Sequence, residues 1–247
     1  MSAVRGARER ARVEVTAAIM DEAKRRLAAE GAAKLSLRAV ARELGMASSA
    51  LYRYFPSRDD LLTALIVDAY DSLGEAAETA HRTACADDAP HLARWTAVAR
   101  AVRGWALAHP HEYALIYGSP VPGYTAPQAT VGPASRVALV LIDIVGEAYR
   151  TDGLAVPPLA AELRAEAGRM AADFAPGLPV EAAVPLVAAW SQLFGLISFE
   201  IFGQFDKVVE ARDAFFEEAV TELARSVGLP RPRDTPGAST GGAHRNR

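Results

Sequence analysis

An all-α fold follows from three features of this 247-residue sequence. Apolar residues recur three and four positions apart along most of its length, glycine and proline clusters interrupt them, and no stretch alternates apolar with polar residues as a half-buried strand would. The pattern divides the chain into a small N-terminal unit of three helices and a larger C-terminal helical unit. With 51% hydrophobic and 23% charged residues the composition is that of a globular protein with enough apolar surface for both cores.

The first helix runs to Gly31 with Val13, Ala17, Met20, Ala23 and Leu27 as its expected apolar stripe. Arg5, Arg8, Arg10 and Arg12 precede it, an arm able to follow a phosphate backbone or enter a minor groove, or simply to lie solvated. In the second helix Leu37, Val40, Ala41 and Leu44 fall at i, i+3, i+4 and i+7, which buries them and turns Arg38, Ala39 and Arg42 outward. Ser36 is its expected N-cap and Gly45 its stop, since only glycine enters the left-handed conformation there without a steric penalty.

The third helix, Ser48 to Phe55, is too short to persist alone and is expected to dock through Leu51 and Phe55. Its other face carries Ser48, Ser49, Tyr52 and Arg53, with Tyr54 at the edge. These hydroxyls, phenols and one guanidinium suit phosphate oxygens and base edges in a major groove. The two tyrosines can also divide the work, one packing and one binding. Ser57 and Asp60 form an S-x-x-D capping arrangement at the start of the fourth helix. Arg58, beside free amides at the positive end of that helix, is expected to clamp a phosphate.

Net charge is −3, an average that hides an asymmetry. Residues 1–58 hold 12 Lys/Arg against 6 Asp/Glu, whereas residues 63–229 hold 11 against 21. A polyanion needs a local basic patch and not a basic protein, so the N-terminal unit is the expected DNA-binding surface.

Ser36 through Leu62 resembles the N-terminal domain of TetR-type transcriptional regulators. The resemblance rests on Val40-Ala41, Gly45-Met46-Ala47, Leu51-Tyr52-x-Tyr54-Phe55 and Arg58-Asp59-x-Leu61-Leu62. It implies that Ser36, Arg38, Ser48, Ser49, Tyr52, Tyr54 and Arg58 contact DNA, with Arg53 lying between two of them in the recognition helix. Ala50, where the family often has a hydroxyl or glycine, and Arg53, at a variable position, prevent transfer of an operator sequence.

The fourth helix, Ser57 to about His81, carries Leu62, Leu65, Ile66, Ala69 and Leu73 on one face and leaves the N-terminal unit as a strut. A break at Asp87-Asp88-Ala89-Pro90 precedes a helix from His91 to Ala108, and His109-Pro110 begins a short one through Tyr117. Residues 118–133 hold seven Gly or Pro in sixteen and read as an irregular loop. Further helices are expected at roughly 134–150, 158–174, 180–203 and 206–227.

Around Trp190 the pattern is apolar almost all round, more than one protomer readily covers. A dimer seam is therefore expected from Trp190, Gly195, Ile197 and Ile201 with Phe215, Phe216 and Val220. Trp190-x-x-x-Phe194-Gly195 with Glu200-x-x-Gly203 is similar to the C-terminal domain of one TetR-type subgroup. Trp95, Trp105, Tyr113, Tyr117, Met170, Phe174 and Phe194 fit either a packed core or the lining of an apolar effector cavity.

Reactive constellations are sparse. His81 and Cys85 with Asp88, or His109-x-His111, lack the spacing of a structural zinc site, and no G-x-S-x-G, P-loop or dinucleotide fingerprint occurs. Neither an enzyme nor a cofactor or metal is expected. One cysteine forbids an intrachain disulfide, and no leader-like segment or apolar run of transmembrane length is evident, so the expected location is the cytoplasm.

The expected organisation is a helix-turn-helix DNA-binding domain at 1–57, linked by the helix from 57 to an effector-binding and dimerisation domain at 58–229, with a disordered tail at 230–247. The resemblance implies a homodimer on a double-stranded, inverted-repeat DNA operator, acting as a repressor that a small apolar or amphipathic effector releases. A regulator without an effector is the first alternative, and a helical enzyme or metal-binding protein the second.

Overall fold

The computed structural model describes residues 2–229; the expected tail lies outside them. Among these residues there are ten α-helices and no strand. They are α1 (Ser2–Glu30), α2 (Leu37–Glu43), α3 (Ser48–Leu51), α4 (Arg58–Ala86), α5 (His91–Ala108), α6 (Pro110–Tyr117), α7 (Val131–Thr151), α8 (Arg164–Phe174), α9 (Val180–Ile201) and α10 (Arg212–Ser226).

Most expected elements are present, with shifted ends. The arginines expected in an extended arm lie within α1. The stripe of α1 is also rotated: Val13 is 60% exposed and Ala17 is exposed, whereas Ile19, Ala23 and Leu27 are buried with Val15 packed against them. Glu22 shares that buried face because Arg26 Nε donates to it at 2.8 Å, a pairing that hides a carboxylate from apolar periodicity. Helix α3 is one turn long and continues to Phe55 as hydrogen-bonded turns.

The first core joins Ile19, Leu37, Val40, Leu51 and Phe55 to Leu61, Leu62 and Leu65 of α4. Each fully buried leucine contributes about 1.5–3 kcal/mol. Further along, the same helix contributes Ala69, Leu73 and Ala77 to the second core, with Trp95, Val102, Leu141, Ile144, Leu193 and Val220. One uninterrupted helix therefore belongs to both hydrophobic cores. Helices α8 and α9 form a hairpin over a small satellite core of Ala167, Ala171 and Ala183.

Helix α4 packs along α5 and α7. Its contact with α7 depends on Gly74: a Cβ there would lie 2.8 Å from Arg136 Cβ and 2.7 Å from its Nε. Arg136 fills that space, donating from Nε to Glu78 at 2.8 Å and from Nη1 to Asp71 Oδ1 at 2.8 Å. The hydrogen bond from Arg136 holds the Glu78 carboxyl below its ordinary range.

Residues 128–151 and α9 are, by length and composition alone, apolar enough to cross a membrane, contrary to the expectation from sequence. Their apolar faces instead contribute Leu141, Ile144, Leu193 and Ile197 to the second core.

Candidate nucleic-acid interface

The turn between α2 and α3 is fixed locally. Gly45 has φ +64°, Gly45 N–H donates to Arg42 O at 3.2 Å and Met46 N–H to Ala41 O at 2.8 Å, the paired bonds of a Schellman stop. With Leu37, Val40, Ala41 and Leu51 buried beneath it, the unit presents Arg38, Ser48, Ser49, Tyr52 and Arg53 to solvent. Ser36 occupies the N-cap position of α2 without a side-chain capping bond. Its half-buried hydroxyl thus remains available at a helix start.

The two tyrosines differ in burial. Tyr52 is 41% exposed, whereas Tyr54 is half-buried against the first core, with the Arg12 guanidinium 6.0 Å from its ring centroid. Ser57 caps α4 as expected: its hydroxyl accepts from Asp60 N–H at 3.1 Å and donates to the Asp60 carboxylate at 2.7 Å.

Arg58 differs from the expected phosphate clamp. Its Nε donates to Leu35 O at 3.1 Å and its Nη2 to Ala32 O at 2.9 Å and Ala33 O at 3.3 Å. Nη1 lies 3.6 Å from Asp59. Ala32 O also accepts from Leu35 N–H at 3.2 Å, and the forked guanidinium ties it to the carbonyls of Ala33 and Leu35 in the turn joining α1 to α2. The partners lie 23 to 26 residues away, beyond the reach of local sequence patterns.

The seven aromatic and methionine candidates do not converge. Trp95 and Tyr113 are fully buried, Trp105 is 8% and Phe194 6% exposed, all within the second core. Tyr117 stacks on Phe194 at 4.2 Å between centroids, and Trp105 donates its indole N–H to Ser72 at 2.8 Å. The Trp95 indole N–H has no hydrogen-bond partner among the described residues. Met170 packs in the satellite core and Phe174 is 65% exposed, both on α8, so they do not share a lining with the rest. Burial pushes the Tyr113 hydroxyl up to about 12, partly offset by its hydrogen bond with Ser198, and raises Tyr117 through burial and the neighbouring Tyr70 and Tyr113.

An open cleft of about 830 Å³ lies instead between the two units. Of the expected effector residues only Tyr117 lines it. Periodicity does not reveal this cleft because its walls come from Leu27 and the Gly31–Ala33 turn on one side and residues 114–122 on the other.

Among the expected seam residues, Ile197, Phe216 and Val220 are buried inside the protomer. Phe215 is 41% exposed; Trp190, Gly195 and Ile201 are partly exposed. Phe199, not among the expected set, is 53% exposed and makes an edge contact with Phe205, which makes another with Phe215. These rings form an aromatic surface across α9 and α10. Arg103 donates to Glu200 at 2.6 Å and pairs with Asp213 at 2.8 Å, and the hydrogen bonds it donates to these carboxylates raise its already high pKa.

His81 lies 3.2 Å from Asp143, with Cys85 Sγ 3.6 Å from its Nε2, so the partner from outside the helix is Asp143 and not Asp88. No cluster of three metal-ligating side chains occurs among the described residues.

A two-helix reader with a basic outer face, on a strut shared with a larger helical body, defines a helix-turn-helix DNA-binding protein. The family described as bacterial regulatory proteins, tetR family, matches residues 19–65, and the Tetracyclin repressor-like C-terminal domain matches residues 95–223. The HTH-type transcriptional regulators Mb1846 of Mycobacterium bovis and Rv1816 of Mycobacterium tuberculosis are each 41% identical over 213 residues, covering 81% of this chain and 86% of theirs. The solved structure of regulatory protein SCO4313 is 35% identical, with a TM-score of 0.72 over 87% of this chain and 97% of that one. The TetR family regulator PfmR of Thermus thermophilus, 18% identical, shares the fold at a TM-score of 0.56 over 86% of this chain and 99% of its own. The chain belongs to the TetR family and is a DNA-binding transcriptional regulator.

Proposed function

We propose that this regulator works in the cytoplasm as a homodimeric repressor on an inverted-repeat operator and that a small apolar or amphipathic effector releases it. Its N-terminal unit reads DNA and residues 58–229 carry the dimer and effector functions. The observation that carries the reading is α4, one helix running from Arg58 beside the reading unit through both cores to Ala86. A pivot of this strut moves the recognition helices of a dimer off the spacing of about 34–36 Å that consecutive major grooves require.

Within the reading unit we assign base and phosphate contacts to Ser36, Arg38, Ser48, Ser49, Tyr52 and Arg53. Tyr54 and Arg58 hold the unit's shape. For the dimer, the Phe199, Phe205 and Phe215 surface supports a seam across α9 and α10, centred where Gly195 has open space beside it. A specific observation favours a second reading, a regulator without an effector: Trp95, Trp105, Tyr113 and Phe194 are packed as core.

The test begins with an operator selected from random duplexes, followed by titration with the protein while sedimentation reports its mass. The proposal requires a dimer in solution and two protomers per bound duplex. A monomer that binds single half-sites with equal strength would refute it.

A further inference from the structure

The cleft between the two units carries an inference of its own, which rests on the proposal that a small molecule releases this regulator from DNA. The end of α1 and the Gly31–Ala33 turn form one wall, the last turn of α6 and residues 118–122 form the other, and His111, Phe202 and Gln204 complete the lining. About 830 Å³ is within the range of small-molecule sites.

Among the described residues no Asp, Glu, Lys or Arg lines it, and the polar side chains that do are His111, Ser119, Tyr117 and Gln204. A charged ligand would lose hydration there without finding an opposite charge, whereas these side chains can meet a hydroxyl or carbonyl. The Tyr117 hydroxyl makes no hydrogen bond among the described residues, although burial raises its pKa.

We infer that this junction cleft is the effector site, that it takes an uncharged, mainly hydrocarbon molecule bearing a hydroxyl, carbonyl or aromatic amine, and that its occupancy reaches DNA through the turn that Arg58 holds.

The connection is short. Ala32 and Ala33 line the cleft, and their carbonyls accept from the Arg58 guanidinium. Leu35 O accepts from the same side chain, and the next residue, Ser36, starts α2. The turn is the more exposed wall: Gly31, Ala33 and Lys34 are exposed, Ala32 alone packs partly on the first core, and Arg58 is its side-chain tie. The opposite wall is braced: Leu115, Val121 and Tyr124 pack on the first core and Tyr124 shares a hydrogen bond with Thr63 at 2.9 Å. A molecule wedged between the walls therefore moves the turn, and with it Arg58 and the start of α2. The ligand favours the wedged geometry and DNA the closed one, as release requires.

The probe for the test is N-phenyl-1-naphthylamine, a neutral three-ring aromatic amine whose fluorescence rises in apolar surroundings. Saturable binding to the full chain is expected, with slower amide hydrogen exchange at 31–36 and 114–122. Ser119→Trp and Ala33→Trp fill the cleft from its two exposed walls. Each is expected to weaken probe binding at least tenfold. Either Trp variant that melts more than a few degrees below wild type is replaced by its Phe counterpart. Absence of saturable binding overturns the inference. So does undiminished binding by the filled variants, or protection confined to α7 and α8. In that last case release by an effector elsewhere in residues 58–229 still stands, which separates failure of this site from failure of effector release.

Discussion

Arg58 Nη2 donates to Ala32 O at 2.9 Å, so the first residue of the strut is tied to the turn that precedes the reading helices. A side chain in that position shapes the reading unit and need not touch DNA to control it. Arg58→Ala is expected to destabilise the chain by about 1–3 kcal/mol, since the carbonyls of buried Leu35 and half-buried Ala32 lose a charged donor. DNA binding should weaken while the slope of log affinity against log salt stays as in wild type. Arg58→Lys should recover little, because an ammonium cannot reproduce the planar fork. A flattened slope in titrations at several salt concentrations would show a direct phosphate contact.

The exposed arginines should behave differently from each other. Arg38→Ala is expected to lower affinity for all duplexes alike and to reduce the salt slope by about one charge, the mark of a lost phosphate contact. Arg53→Ala and Ser49→Ala should change preference among operator variants by about 1–3 kcal/mol per contacted base pair. Tyr52→Phe should leave the melting temperature unchanged and weaken operator binding, whereas Tyr54→Ala should cost stability. Selection from randomised operators and thermal melts distinguish these outcomes.

Two neighbouring substitutions on α9 separate dimer from fold. A Cβ at Gly195 would meet no heavy atom of another element within 4 Å, so Gly195→Leu should fold and dissociate the dimer in sedimentation. Ile197 is fully buried within the protomer, and Ile197→Glu should unfold it, because a carboxylate would be placed in the core without a partner. A dimeric Gly195→Leu with wild-type operator affinity would move the seam to another face.

At the contact of α4 and α7, Gly74→Ala should cost about 1–3 kcal/mol, since the new methyl must displace Arg136 at its Cβ and not only at its flexible end. The Glu78 carboxyl is held low in the folded chain, so its pairing with Arg136 stabilises fully above the unfolded carboxylate range and is lost as pH falls through the folded value. Glu78→Gln should therefore lower stability near neutral pH and flatten the acid limb of the stability profile. Denaturant titrations across pH 3 to 7 read this out, a parallel profile for wild type and variant being the contrary result.

What can be read from the sequence is what depends on neighbours. The Ser57 and Asp60 cap, the Gly45 stop and the stripe of Leu62, Leu65, Ala69 and Leu73 each involve partners within a turn or on one helix face. Arg58 escapes such a reading because its acceptors precede it by 23 to 26 residues. In α1 the apolar pattern points one face out because the Glu22 carboxylate, paired with Arg26, sits among the buried positions. The aromatic residues are illegible for a third reason: Trp95 in a core and Tyr117 beside a cleft have the same helical spacing, and only the packing of α1 against α6 tells them apart.

The most direct test of the account is the response of operator affinity to the distance between half-sites. Two reading units fixed on one dimer need half-sites on the same face of the duplex, so inserting half a helical turn (about 5 base pairs) should abolish two-protomer binding, and inserting a full turn (about 10) should restore at most part of it. Affinity and stoichiometry that are indifferent to the half-turn insertion would contradict the account, because each helix-turn-helix would then be reading DNA alone.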